Sequence, residues 1–177
     1  MNMGQSNQPT YNKVLMLVYS VLMFLPIALV FLFFNYYGLD LIMYAGWILL
    51  AFSIIIIFLA GYEFQKKGEV PEGKHLVHTT VLVDSGIYAV VRHPQYLGFM
   101  LLVLALVLMS QHWLSVISGV IGSVLFYMDA TRGEEKENTK KFGDDYRRYM
   151  EEVPRMNLVV GIIKLLRRRK RNRVVEI

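Results

Sequence analysis

The sequence predicts an all-α integral membrane protein with four transmembrane helices, ending in a C-terminal helical hairpin, a cytoplasmic helix and an interfacial basic tail. Three observations predict it. Apolar residues make up 55% of the 177 and charged ones 19%, and the apolar residues gather into blocks nearly free of charge. A soluble domain normally carries more charge. The blocks at 13–34 and 41–61 match the length needed to cross a hydrocarbon core of roughly 30 Å. Finally, none of the 19 lysines and arginines falls in the turns at 35–40 and 110–113, a bias that assigns the other face to the cytoplasm.

Each element can be justified in order. Residues 1–12 are short and polar. Val14 to Phe34 is a 21-residue run without a charge. It is long for a signal-peptide core, and no small-residue cleavage site follows it. Pro26 removes a backbone donor inside this span and marks a place for a kink. Leu41 to Ala60 forms the second span. Its Ile54-Ile55-Ile56-Ile57 block would suit a buried strand in a soluble protein, but its neighbours make it a lipid-facing helix. The connection 61–95 carries Lys66, Lys67, Lys74 and Arg92, and Gly68, Pro71, Gly73 and Gly86 point to an ordered, irregular loop.

The third and fourth spans, 94–110 and 114–130, pair through the turn Gln111-His112-Trp113. They are shorter than the first two, so crossing requires tilt or local thinning. Ser115, Ser118, Gly119, Gly122 and Ser123 form a small-residue stripe that suits close packing against another helix. A membrane-embedded ligand is the less favoured use of that stripe. Residues 131–150 are charged and helical in composition, with Glu137 and Lys141 at i,i+4 and a break at Gly143. Leu158 to Leu166 is too short to span and leads into Arg167-Arg168-Arg169-Lys170-Arg171 and Arg173. It is read as interfacial, with its basic end at anionic headgroups. The chain is one domain, 1–177, in an inner or plasma membrane, with both termini cytoplasmic. The stripe can pack within or between chains, which leaves the oligomeric state open.

Composition also excludes. There are 0 cysteines, so disulfides and thiolate nucleophiles are out. The 10 methionines read as packing. The net charge of +5 is a topological signal rather than a nucleic-acid footprint. No metal-ligand spacing, glycine-rich phosphate loop or nucleophile elbow is present.

Chemistry can reside in two polar segments, both on the cytoplasmic face and both abutting the hairpin. One is Gly86 to Gly98, containing Tyr88, Arg92-His93-Pro94 and Tyr96. The other is Glu134-Glu135 with Phe142-Gly143-Asp144-Asp145-Tyr146, Tyr149 and Val153-Pro154-Arg155. Short connections should bring them together. Taken alone, His93 is as readily a loop anchor before proline as a group titrating near neutrality. Glu134 and Glu135 suit a solvated helix start. Alternatively, one of them holds a cationic ammonium or sulfonium, and adjacent positions leave only one pointing inward.

These ordered motifs, Arg92-His93-Pro94-Gln95-Tyr96-Leu97-Gly98, then Glu134-Glu135, then Phe142 to Tyr149 and Val153-Pro154-Arg155, resemble the isoprenylcysteine carboxyl methyltransferase family. That family is related to the phospholipid N-methyltransferases. The motifs cover residues 80–156, and the first two spans match only as generic helices. The resemblance implies an S-adenosylmethionine-dependent methyltransferase whose cofactor lies at the cytoplasmic membrane face. Carried over by motif, Leu82, Val83, Tyr88, His93, Pro94 and Tyr96 line the cofactor pocket, and Glu134 meets its charged end. The sequence departs from the family at Thr80, where a histidine is usual, and at Ala130, where the substrate-side arginine stands. Arg132 is close enough to substitute, and with Glu134 it completes the implied catalytic pair. Glu137, Asn138 and Thr139 replace leucines usual after the paired acids.

The implied reaction is direct displacement at a sulfonium methyl, which needs alignment more than a covalent intermediate. A lipophilic acceptor would enter from the bilayer and the cofactor from water, with membrane lipids as surroundings. A prenylcysteine-like carboxylate is the first acceptor. A lipid amine or small thiol is the alternative within the enzyme reading, and a non-catalytic membrane adaptor is the rival outside it.

Overall fold

The computed structural model describes residues 13–69 and 79–175. Pro71, Gly73 and Lys74, like residues 1–12, lie outside the described residues. Among those described there are six α-helices: α1 (Lys13–Leu32), α2 (Asp40–Lys67), α3 (Pro94–Ser110), α4 (Trp113–Asp129), α5 (Glu135–Glu152) and α6 (Leu158–Val175). A 3₁₀ turn at Gly86–Ala89 precedes α3, and a π turn at Ala130–Glu134 joins α4 to α5.

α2 is longer than the apolar pattern suggested. It was expected to end near residue 61, with an irregular loop beyond, but it continues to Lys67 and is closed by Gly68. The residues after Gly61 are good helix formers, and a Glu63–Lys67 pair at 2.6 Å supports the last turn. Among the described residues α2 is the one helix long and apolar enough to cross a membrane, while Ser20–Leu32, Pro94–Ser110 and Trp113–Met128 are shorter apolar helices. α1 runs through Pro26 as one helix.

Small residues set the packing. The broadest helix interface joins α2 to α3. A methyl group added at Gly46 would meet Met109 and Ala105, and one at Gly98 would meet Ile57. Without those side chains the backbones approach closely. The α4 stripe behaves likewise inside the chain. Ser115, Ser118, Gly119 and Gly122 are buried, with Gly119 against Val103 and Val107 of α3 and Gly122 against Leu22 and Met23 of α1. The outer faces stay apolar: Phe31, Leu41, Ile48 and Phe58 are all exposed.

The end formed by the α1–α2 and α3–α4 turns is closed by polar side chains. Gln111 donates to Asn35 Oδ1 at 2.7 Å and to Leu39 O at 2.9 Å, and its Oε1 accepts from Leu39 N at 3.1 Å. Asn35 and Gln111 both take left-handed backbone there. At the opposite end, α5 bends at Gly143, whose φ of 58° and ψ of −128° interrupt the helix where its sequence marked a break. α6 then runs back over the 86–91 turn as a single helix. The apolar stretch 158–166 and the basic residues after it are therefore one element.

Candidate active site

Two prolines bring the polar segments together. The residue before a proline is pushed out of helical backbone, and His93 (φ −122°) and Val153 (φ −111°) are both non-helical. The segments then pair like short strands, with Arg92 N donating to Pro154 O at 2.9 Å and His93 N to Arg155 O at 3.1 Å. Pro94 opens α3, where a missing donor costs nothing. A third tie comes from Tyr149, whose hydroxyl donates to the Tyr88 carbonyl at 2.7 Å.

At the centre lies Glu135, only 7% exposed. His93 Nε2 is 3.2 Å from its Oε1, and Arg92 Nη1 lies 3.1 Å from the same oxygen. Arg155 forks onto both oxygens, Nε to Oε1 at 2.9 Å and Nη2 to Oε2 at 3.0 Å. A carboxylate withdrawn from water needs such compensation. Burial acts to raise its pKa, but hydrogen bonds from His93 and Arg155 and the charges of Arg92 and Arg155 outweigh it, and the value falls from 4.5 to about 2.

Glu134 stands on the other edge of the imidazole, its Oε2 3.5 Å from His93 Nδ1. That is an ion-pair separation rather than a formed hydrogen bond. The expectation that only one acid faces inward is thus corrected. The two ring nitrogens point in different directions, so neighbouring acids on diverging helix faces each meet one. Burial works against a charged imidazole, yet the close approach and negative charges of Glu134 and Glu135 prevail and raise the His93 pKa above 6.5.

The other residues singled out from the sequence divide into groups. His93 and Pro94 are buried at the centre, and Tyr96 stands edge-on to the His93 ring at 5.7 Å while facing Phe126 at 4.5 Å. Leu82 packs on Tyr146 and Tyr149 and lines a 670 Å³ cleft together with Thr80, Asp84, Phe142 and Arg168. The side chains of Val83 and Tyr88 are taken up in a small core with Ala60 and Phe64. Arg132 has its backbone in the π turn, and its side chain lies outside the described residues.

Three residues of the cluster had no assigned role: Arg92 and Arg155 were noted only as parts of their motifs, and Glu135 only as the alternative to Glu134. The signal was present, because each arginine is next to, or one residue from, a proline that fixes local backbone, and a buried acid needs cations. The choice between Glu134 and Glu135 had no such signal. It depends on the π turn, a feature frequent at functional sites.

The cluster is under-satisfied. Arg92 Nε and Nη1 and His93 Nδ1 are buried without a formed hydrogen bond among the described residues. Buried polar atoms are normally paired, and these three stand apart from that rule. Among the described residues no group of acids and histidines is arranged to hold a metal.

A protein-S-isoprenylcysteine O-methyltransferase of Schizosaccharomyces pombe is 34% identical over 74 residues, 42% of this chain and 31% of that protein. The Homo sapiens protein-S-isoprenylcysteine O-methyltransferase is 33% identical over 98 residues, 55% of this chain and 33% of its own length. The matched stretches thus span about a third of each relative. No solved structure matches significantly. The phospholipid methyltransferase family matches residues 41–145, which include α2, the His93 turn, both apolar helices after it and the paired acids. On that match the chain belongs to the phospholipid methyltransferase family.

Proposed function

We propose that this chain is a membrane-embedded, S-adenosylmethionine-dependent methyltransferase acting on a lipophilic acceptor at the cytoplasmic membrane face. The observation that carries the reading is His93 bracketed by Glu134 and Glu135, with Arg92 and Arg155 beside them, at the mouth of α3 and α4. Membrane embedding is supported by the exposed apolar faces, since soluble monomers rarely leave large contiguous apolar patches uncovered. α2 is 28 residues long, about 42 Å at 1.5 Å per residue. Its last turns would then stand beyond a core of roughly 30 Å. There Lys67 Nζ meets Ser85 Oγ at 2.8 Å, just before the Tyr88 turn. Four crossings, α1 to α4, put both termini on the site's side.

The residues present suit the cofactor. Glu134 is half-exposed and can face an ammonium or sulfonium, while the unsatisfied Arg92 and His93 nitrogens can face a carboxylate. Leu82, Phe142 and Tyr149 offer an apolar and aromatic wall in the adjoining cleft. The cofactor supplies an electrophilic methyl group. The chain's own residues would orient it, exclude water and hold the acceptor in line.

The protonation pattern favours one acceptor. His93 is pushed toward its charged form, and burial holds the Tyr88 and Tyr149 hydroxyls protonated. All three are donors rather than bases, and Glu135 is engaged by three cations. An acceptor that is already ionised, such as a prenylcysteine-like carboxylate, needs no base, whereas an amine or thiol must lose a proton. Arg132, in the π turn, would orient that carboxylate in place of the arginine absent at Ala130.

Calorimetry on detergent-purified protein with S-adenosylmethionine and S-adenosylhomocysteine tests the first half. Absence of binding to folded protein returns the chain to the adaptor reading. Labelled-methyl transfer to prenylcysteine, lipid-amine and small-thiol acceptors tests the second. The prenylcysteine should be favoured, and Arg132→Ala should raise its KM while leaving cofactor affinity intact.

A further inference from the structure

α6 carries two faces that do different things. Toward the protein it presents Gly161, Lys164 and Arg168, at i, i+3 and i+7. Gly161 sits so close to the Val90 carbonyl that any Cβ would collide with it. Lys164 Nζ donates to Glu151 O at 3.0 Å. Arg168 Nη2 donates to Ala89 O at 2.6 Å, and its Nη1 pairs with Glu152 at 3.1 Å. Ala89 and Val90 directly follow Tyr88 and end three residues before His93, so this face braces the site turn.

Away from the protein, Val159, Ile162, Ile163 and Leu166 recur at i, i+3, i+4 and i+7 and are 44–68% exposed. This edge has no protein cover among the described residues. Arg167, Arg169, Lys170 and Arg171 follow it without an acidic residue between them and are exposed. A 300 Å³ cleft between the ends of α5 and α6 is lined by Lys164, Arg167, Arg168 and Arg171, with Glu151 and Glu152 on its other wall. Arg168 Nε there has no hydrogen-bond partner among the described residues.

An apolar edge continuing into a basic one matches a bilayer surface, with the aliphatic residues at the acyl boundary and the cations among phosphates. An acidic protein would satisfy the arginines but would leave the aliphatic edge in water. We propose that the outer face of α6 docks on anionic lipid headgroups, and that the same helix transmits this contact to the site by bracing the 86–91 turn through Gly161 and Arg168. The site would then be most ordered in an anionic leaflet. This rests on the membrane placement proposed above but not on methyl transfer.

The test is amide hydrogen exchange on the full chain in phosphatidylglycerol nanodiscs and in phosphatidylcholine nanodiscs, a readout that needs no catalysis. Exchange across 158–171 and at the Val90 and Val91 amides, which both bond to Ile87 O, should slow several-fold in phosphatidylglycerol and recover with added salt. Replacing Arg167, Arg169, Lys170 and Arg171 together by glutamine should abolish that lipid dependence at both segments. Arg168→Ala should keep it in α6 and lose it in the turn. Equal exchange in the two lipids, or a lipid effect that survives the fourfold variant, would overturn docking. A turn indifferent to lipid while α6 responds would overturn the coupling. Protection by poly-glutamate in phosphatidylcholine, equal to that given by phosphatidylglycerol, would reassign the face to an acidic protein.

Discussion

The two ends of the helical bundle each bury a histidine, and the two are treated in opposite ways. His112, between α3 and α4, stacks on Phe33 at 4.0 Å with Tyr36 edge-on at 4.9 Å, and its Nδ1 accepts from Leu114 N at 3.3 Å. Next to it, Gln111 has both side-chain atoms engaged. His93, 2% exposed, is instead surrounded by ions and keeps a nitrogen without a formed hydrogen bond. At one end the histidine and its neighbouring glutamine are engaged in closing the bundle, while at the other the histidine keeps a nitrogen free of any formed hydrogen bond among the described residues. Burial of a histidine therefore says little about function, and its partners say much.

That contrast can be broken by substitution. The largest effect is expected at Glu135, because removing it leaves Arg92 and Arg155 without their carboxylate and His93 with Glu134 alone. Glu135→Ala should cost about 3 kcal/mol, at the lower end for a broken buried pair because Arg155 is half-exposed. It should also abolish measurable cofactor binding, read by thermal unfolding and calorimetry in detergent. If the alanine variant does not fold, Glu135→Gln keeps the shape and isolates the charge. Unchanged cofactor affinity in the glutamine variant would remove the cluster from the site.

Gln111→Ala is the matched test at the far end. It deletes three hydrogen bonds, two of them to backbone that would be left partly buried. It should cost about 2 kcal/mol yet leave cofactor affinity within twofold. A loss of affinity comparable to that at Glu135 would mean the two ends are coupled.

The pH dependence sharpens the comparison further. His93 has a raised pKa, so its contribution is complete below 6.5 and lost as pH rises through the folded-state value. Glu135 is depressed, so its contribution is present above 4.5 and lost as pH falls toward about 2. The melting temperature should therefore be highest between these limits. His93→Gln should flatten the alkaline decline, and His112→Phe, which keeps the stack on Phe33, should retain it. The smallest change is expected for Tyr149→Phe, which removes the hydroxyl on the Tyr88 carbonyl. It should lower stability by about 1 kcal/mol in the same unfolding assay.

What the sequence made legible followed from long, uninterrupted signals. The bounds of α3 and α4 were readable because apolar length is a property of composition. The break at Gly143 and the meeting of the two polar segments were readable because glycine and proline act on local backbone. Three things were hidden. α2 overruns its apolar block, since polar helix formers continue a helix without a hydrophobic signature. α6 was read only as an interfacial segment with a basic end, and its inner face stayed hidden because Gly161, Lys164 and Arg168 straddle the change from apolar to basic composition. That both Glu134 and Glu135 meet His93 was hidden too, because neighbouring positions on a regular helix do not share a face and the histidine offers a nitrogen to each.

That π turn gives the site an arithmetic weakness. One residue in the stretch Ala130 to Glu134 is surplus to an α-helix, and deleting it would let α4 run smoothly into α5. The repaired helix would be locally more regular, yet each residue beyond it would turn by about 100° about the axis. Glu135 would swing away from His93 and both arginines, with every side chain of the cluster still in the chain. Shortening by a single position is thus a graver change here than most substitutions, and the length of this join is as much a part of the site as any of its side chains.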